Sequence, residues 1–141
     1  MKKMAVVYWS GTGNTEQMAE AVFQGAKEAG AEAELFQVGQ FSAKSVEDFD
    51  VVIFGCPSMG AEVLEEAEFE PVYEACKGKL SGKTLGLFGS YGWGDGEWMR
   101  DWEQDVLQLG ALLPQGYLIL NETPDQEGLE ECKNYGKNLA G

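Results

Sequence analysis

Short apolar runs alternate in this sequence with longer segments whose apolar residues recur at helical spacing. The runs lie at 4–9, 33–38, 51–55, 84–88 and 112–120, the last interrupted at 114–116. The longer segments lie at 16–29, around 69–76, at 98–109 and at 124–139. Strands that alternate with helices predict an α/β fold, with a parallel sheet covered by helices on both faces.

Five predicted strands favour the doubly wound order 2-1-3-4-5. The runs at 4–9 and 51–55 are apolar throughout, which is typical of strands buried on both faces. The run at 33–38 is more polar, so we expect it at an edge of the sheet. The length of 141 residues predicts a single domain that spans residues 1–141.

Glycine-rich loops follow three of the predicted strands, at residues 10–15, 56–62 and 89–97. In the predicted order these strands, the first, third and fourth, are neighbours. Ligands of such sheets bind outside the carboxyl ends of the strands, where the winding reverses. The three loops therefore predict one ligand site at that edge.

The first loop has the sequence SGTGNT and leads into a predicted helix. It lacks the Lys of a nucleotide-binding P-loop, and Glu16 stands where a dinucleotide fingerprint has its third glycine. Backbone N–H groups and small hydroxyl side chains at a helix amino terminus bind anions. The loop contains no Lys or Arg, and phosphoryl transfer requires cations to stabilise the developing charge. The loop therefore predicts a phosphate that stays bound and is not transferred. The alternative is an ordinary helix cap.

Flat rings are expected beside this phosphate. Tyr91 and Trp93 lie between glycines, where Trp93 is placed to stack on a planar ligand. Met59 lies on the facing loop, and Glu62 can accept a hydrogen bond from a ring N–H. The backbone of 89–94 would serve the polar edge of the ring. A planar heterocycle with a terminal phosphate is the predicted ligand.

Composition limits the chemistry further. The formal charge is −14, from 24 acidic and 10 basic residues, so nucleic acid and anionic membranes would be repelled and a basic protein partner attracted. The chain has no His and no CxxC motif, which excludes Ser-His and Cys-His catalysis and leaves no expected metal site. No apolar run reaches the ~20 residues of a membrane span, and we expect a cytoplasmic location.

The sequence resembles the flavodoxins, specifically the short-chain type of anaerobic bacteria. The resemblance covers nearly the whole chain, and no insertion of about 20 residues interrupts the fifth strand, as it does in long-chain members. The stretches that carry it are VYWSGTGNTEQMAE, MGAEVLEEAEFEP, LFGSYGWGDGEWMRDWE and NETPD. The predicted fold is then flavodoxin-like.

The resemblance implies one non-covalently bound FMN. Its phosphate would be bound by Ser10, Gly11, Thr12, Gly13, Asn14 and Thr15. Flavin N5 would contact Met59, Gly60 and Ala61, and Glu62 would bind the ring N3–H. Trp93 would stack on the outer face. The remaining predicted contacts are Ser58, Gly89, Ser90, Tyr91, Gly92 and Gly94, with Asn121 near the ribityl chain. The peptide between Gly60 and Ala61 turns over on one-electron reduction in this family.

A flavodoxin is an electron carrier, and the resemblance implies a low-potential one that shuttles between semiquinone and hydroquinone. We expect a monomer whose partners are redox proteins with basic docking surfaces, and no enzyme activity. The alternative is an FMN-dependent reductase of quinones or similar acceptors. A receiver domain would need Asp after the third strand, where Cys56 and Pro57 stand, and a Cys phosphatase would need Arg at position 62.

Overall fold

Five parallel strands pair in the order β2-β1-β3-β4-β5, which confirms the predicted fold. The structure is a computed structural model that describes residues 2–141. The strands are β1 Lys3–Tyr8, β2 Glu32–Gln37, β3 Val51–Gly55, β4 Thr84–Tyr91 and β5 Tyr117–Asn121. The α-helices are α1 Asn14–Glu28, α2 Phe69–Cys76, α3 Glu97–Gln108 and α4 Gln126–Ala140. Short 3₁₀ segments cover Val38–Gln40, Ala43–Asp48 and Lys77–Lys79.

Two apolar layers cover the sheet. Helices α1 and α4 pack on one face through residues such as Met18, Val22 and Leu139, and α2 and α3 pack on the other through Phe69 and Trp102. Strands β1 and β3 are buried almost throughout, whereas β2 alternates between exposed and half-buried residues, as an edge strand does. The apolar central strands therefore lie where their composition predicted.

Helices α1 and α4 approach each other closely because glycines face the opposite backbone. A Cβ at Gly25 would lie 2.0 Å from the Lys133 carbonyl oxygen, and one at Gly136 would lie 2.1 Å from the Val22 carbonyl oxygen. Any other residue at either position would force the helices apart. This contact fixes α1, whose amino end follows the first glycine-rich loop.

Two boundaries differ from the sequence prediction. Gly89, Ser90 and Tyr91 belong to β4 rather than to a loop, because β4 pairs with β5 as far as Asn121. Leu112 forms only an isolated bridge to Thr84, so the fifth strand begins at Tyr117. Within residues 2–141, no helix combines the length and the apolar character needed to cross a membrane.

Candidate functional site

A cleft of about 270 Å³ lies at the carboxyl edge of the sheet, where β1, β3 and β4 end. Three segments surround it, and we name them the β1 loop (residues 10–15), the β3 loop (residues 57–64) and the β4 loop (residues 92–96). The three glycine-rich segments thus meet, as their positions in the sequence predicted. The cleft is lined by Trp9, Ser10, Gly11, Thr12, Asn14, Thr15, Pro57, Ser58, Met59, Ser90, Tyr91, Gly92 and Glu122.

The β1 loop presents the amino end of α1. Gly13 is the residue that precedes the helix, with φ +99°, and no side chain caps the helix in the described chain. The Ser10 hydroxyl accepts the Gly13 N–H at 3.1 Å, which shapes the turn. Since Asn14 and Thr15 are helical residues and do not cap, the ordinary capping alternative does not describe this loop. Its free N–H groups and the helix dipole suit an anion.

A buried hydrogen bond joins the β1 loop to β4. Thr15 Oγ1 lies 2.8 Å from Ser90 Oγ, and the two residues are 1% and 5% exposed. Each hydroxyl has further hydrogen-bonding capacity, because a hydroxyl donates one bond and accepts up to two. The sequence predicted both as binding residues, and the structure brings them together at the floor of the cleft.

Trp9 lines the cleft but was not among the predicted site residues. Its ring lies against Gly11, where a Cβ would come 3.0 Å from the ring. Its indole Nε1 donates to Glu68 Oε1 at 3.2 Å. In the sequence, Trp9 directly follows β1 and directly precedes the β1 loop, and this position is the signal that could have predicted its place in the site. Pro57 and Glu122 also line the cleft and were not predicted.

The β3 loop is a closed turn with an unusual backbone. Met59 and Val63 exchange two backbone hydrogen bonds, of 2.8 and 3.0 Å, so that residues 60–62 form the tip. Gly60 has φ +50° and Glu62 has φ +56°, whereas Ala61 keeps a negative φ. A positive φ at Glu62 is uncommon for a residue with a side chain and was not predicted.

The Glu62 carboxylate lies at the amino end of α3. Its Oε1 accepts the Glu97 N–H at 3.2 Å, and a Cβ at Gly94 would come 2.4 Å from the same oxygen. Gly94 therefore leaves the room that this carboxylate occupies, and the helix dipole favours its charge. The predicted bond from Glu62 to a ring N–H remains a prediction.

The two aromatic residues of the GSYGWGDG stretch differ in position. Tyr91 lines the cleft and packs against Trp98, with ring centroids 5.7 Å apart. Trp93 is 65% exposed on the β4 loop and does not line the cleft. Its predicted stacking remains a prediction. Gly13, Gly60, Ala61, Glu62, Gly89, Gly94 and Asn121 likewise border the site without lining the cleft.

The chain after β5 meets the end of β4. The Tyr91 carbonyl oxygen accepts the Glu122 N–H at 2.7 Å and the Asn121 Nδ2 at 3.2 Å. Asn121 is thus directed towards the β4 backbone, and Glu122, with φ +57°, lines the cleft. In the sequence, the NETPD stretch drew attention to Asn121, its first residue, rather than to Glu122, its second.

The electrostatics of the site are negative. Among the residues 2–141 that the structure describes, no Lys or Arg lines the cleft. Arg100, the one arginine of the sequence, is engaged by the carbonyl and the carboxylate of Asp95, both at 2.9 Å. Burial raises the pKa of the Cys56 thiol far above its ordinary range, so this residue stays neutral and is no nucleophile.

A larger hollow of about 490 Å³ lies on the β2 side of the β1 loop. It is bordered by polar residues such as Glu16, Gln37 and Gln40, and contains none of the β3 or β4 loop residues that the sequence predicted to meet a ligand. The smaller cleft, at the switch point between β1 and β3, matches the prediction.

A parallel sheet with an uncapped helix amino end and an aromatic-lined cleft at its switch point is typical of α/β proteins that bind a mononucleotide. Comparison with known proteins specifies the family. The family model described as Flavodoxin matches residues 6–136. The flavodoxin of Clostridium beijerinckii is 46% identical over 137 residues, which cover 97% of this chain and 99% of the relative. The flavodoxin of Megasphaera elsdenii is 46% identical over 135 residues and 96% of each chain.

The solution structure of two-electron reduced Megasphaera elsdenii flavodoxin superposes with a TM-score of 0.89, at 45% identity, over 97% of this chain and 98% of that one. The chain belongs to the flavodoxin family. It is an FMN-binding electron carrier and not an enzyme, and the alternative of an FMN-dependent reductase is not favoured.

Proposed function

We propose that the cleft binds FMN with its phosphate on the β1 loop and its ring between the β3 and β4 loops. The uncapped amino end of α1 suits the phosphate. The bonded Thr15 and Ser90 hydroxyls would lie between the two parts of the ligand. Met59 and Tyr91 supply soft and aromatic surface for the ring. The bound FMN would supply the electron-transfer chemistry, and the chain would orient it and set its electrostatic surroundings.

We further propose that the protein is a low-potential one-electron carrier. The single observation that supports this is the absence of Lys and Arg from the described cleft lining. Charge added to the ring on reduction would meet neighbouring carboxylates instead of cations. A carboxylate at ~10 Å, with an effective dielectric of ~20 to 80, disfavours such charge by roughly 0.4 to 1.7 kcal/mol before salt screening. The carboxylates in the segments around the site are those of Glu62, Glu65, Glu66, Glu68, Glu70, Asp95, Glu97 and Glu122.

The same carboxylates suit a partner with a basic docking surface. Glu66, Glu68 and Glu97 are exposed, and the lone nearby arginine is paired. Opposite charges accelerate encounter, and salt screens this effect. We propose that the chain acts as a single-domain monomer that meets basic redox proteins.

Redox titration against reference dyes, together with stopped-flow electron transfer at varied salt, tests this function. We expect the second one-electron potential to lie below that of free FMN. We also expect transfer from the reduced protein to a basic c-type cytochrome to slow as ionic strength rises from 0.01 to 0.5 M, about 30 Å to under 5 Å of Debye length. A rate that does not depend on salt would refute the basic docking surface, and a second potential at or above that of free FMN would refute the low-potential carrier.

A further inference from the structure

Glu65 differs from every other carboxylate around the site, because its side chain is buried. It is 7% exposed and is the only acidic or basic residue that is buried within residues 2–141. Its neighbours Glu66 and Glu68 are exposed. A buried carboxylate is costly unless hydrogen bonds satisfy it, so its contacts indicate what it does.

Three backbone N–H groups satisfy this carboxylate. Oε1 accepts the N–H groups of Glu68 and Phe69, both at 2.8 Å, and Oε2 accepts the N–H of Ala67 at 2.9 Å. Burial acts to raise the pKa of Glu65, but these three bonds outweigh it, and the pKa lies below its ordinary value. The charged side chain therefore orders the turn that leads into α2.

The backbone of Glu65 closes the β3 loop at its base. Its N–H donates to Cys56 Sγ at 3.4 Å, so the two residues that flank the β3 loop are linked directly. Cys56 is itself fixed, because its N–H donates to the Phe88 carbonyl at 3.1 Å and its carbonyl accepts the indole N–H of Trp98 at 3.2 Å. The loop thus begins and ends at one fixed point beside β4.

The shape of the loop follows from this closure. The two backbone hydrogen bonds between Met59 and Val63 lie within the segment that the bond between Cys56 and Glu65 closes. Only residues 60–62 then remain as a tip without such a bridge. A change at the tip can occur without moving α2, because the turn at its base is held separately.

We propose that Glu65 is a positioning residue, which holds the β3 loop in the shape that binds the FMN ring. This inference rests on the proposed placement of the ring against that loop. The alternative is that Glu65 acts only as one more negative charge near the ring. Charge alone predicts that removing any carboxylate near the site leaves the binding of the anionic FMN unchanged or tightens it. Positioning predicts that removing this one weakens binding.

The test compares Glu65→Gln with Glu66→Gln, which remove the same charge from adjacent residues. Glutamine at 65 would turn an NH₂ group towards a backbone N–H that the carboxylate now accepts, and would leave that N–H unpaired. We expect FMN to bind Glu65→Gln about tenfold more weakly, because a smaller fraction of the apoprotein holds the binding shape. Glu66→Gln should bind as tightly as the wild type or more tightly. Quenching of flavin fluorescence on titration with apoprotein gives both dissociation constants.

Circular dichroism of each apoprotein is the folding control. If Glu65→Gln does not fold, Cys56→Ala and Cys56→Ser take its place, since both remove the thiol but only serine restores an acceptor for the Glu65 N–H. We then expect weaker FMN binding in Cys56→Ala and recovery in Cys56→Ser. Equal affinities in either pair would overturn the positioning role while the wild type still binds FMN. A wild-type apoprotein that fails to bind FMN would overturn the proposed function instead.

Discussion

The β1 loop and the β3 loop border the same cleft but are built differently. Only residues 9–13 separate β1 from α1, so the β1 loop runs directly into the helix, and its positive φ falls on a glycine, Gly13. The β3 loop is longer, is closed by hydrogen bonds at its base and middle, and has positive φ at Gly60 and Glu62. One loop is fixed by regular structure on both sides, and the other is fixed by specific contacts.

The comparison suggests a division of work between the two loops. A short loop at a helix amino end contributes a preformed anion site, which provides affinity. A loop with a strained tip has backbone states that differ little in energy, so a bound group can shift the balance between them. The Glu62 carboxylate, which accepts the Glu97 N–H, offsets part of the strain at its own positive φ.

The largest expected effect concerns the β1 loop. If it provides most of the affinity, riboflavin, which lacks the phosphate, should bind at least about 100-fold more weakly than FMN, because several charge-assisted hydrogen bonds are lost. Equilibrium titration of the apoprotein with each flavin measures the ratio. Thr12→Ala is the matched variant and should weaken FMN binding without changing riboflavin binding. Equal affinities for the two flavins would show that the β1 loop does not bind the phosphate.

Trp93→Ala should have the next largest effect, on the ring side. Stacking of an aromatic residue on a flat ring contributes ~1–3 kcal/mol, so we expect FMN binding to weaken by about tenfold. Leu107→Ala, which also truncates an exposed apolar side chain, is the control. If fluorescence titration finds no loss in Trp93→Ala, the stacking ring belongs to Tyr91 or Trp9, which line the cleft. Trp98 and Trp102 are core residues.

The sequence predicted the β1 loop better than the β3 loop, for a physical reason. Helix onset, small residues and backbone donors are local properties, and the alternation of strands with helices favoured the order of the sheet. The burial of Glu65 is not local, because the run EEAEFE gives no sign of which carboxylate turns inwards. Similarly, the glycine content of the stretch 89–97 indicated a loop, while pairing with β5 makes residues 89–91 part of a strand.

The smallest expected effect tests the strain at the tip of the β3 loop. Ala61 has no positive φ here, and Gly60 does. The family resemblance implies that the peptide between them turns over on one-electron reduction. In a turn from Met59 to Glu62, the turned peptide resembles type II, which requires a positive φ at Ala61. That conformation costs alanine ~1 kcal/mol and costs glycine almost nothing.

Ala61→Gly should therefore raise the first one-electron potential by about 40 mV, which corresponds to ~1 kcal/mol at 59 mV per tenfold for one electron. The added freedom of glycine in the oxidised loop would offset part of this rise. Ala61→Val is the matched variant and should lower the potential, since a β-branched residue tolerates positive φ less well than alanine. Spectroscopic redox titration of the three proteins measures both shifts. If glycine leaves the potential unchanged or lowers it, strain at residue 61 does not set the potential, and the β3 loop differs from the β1 loop in shape alone.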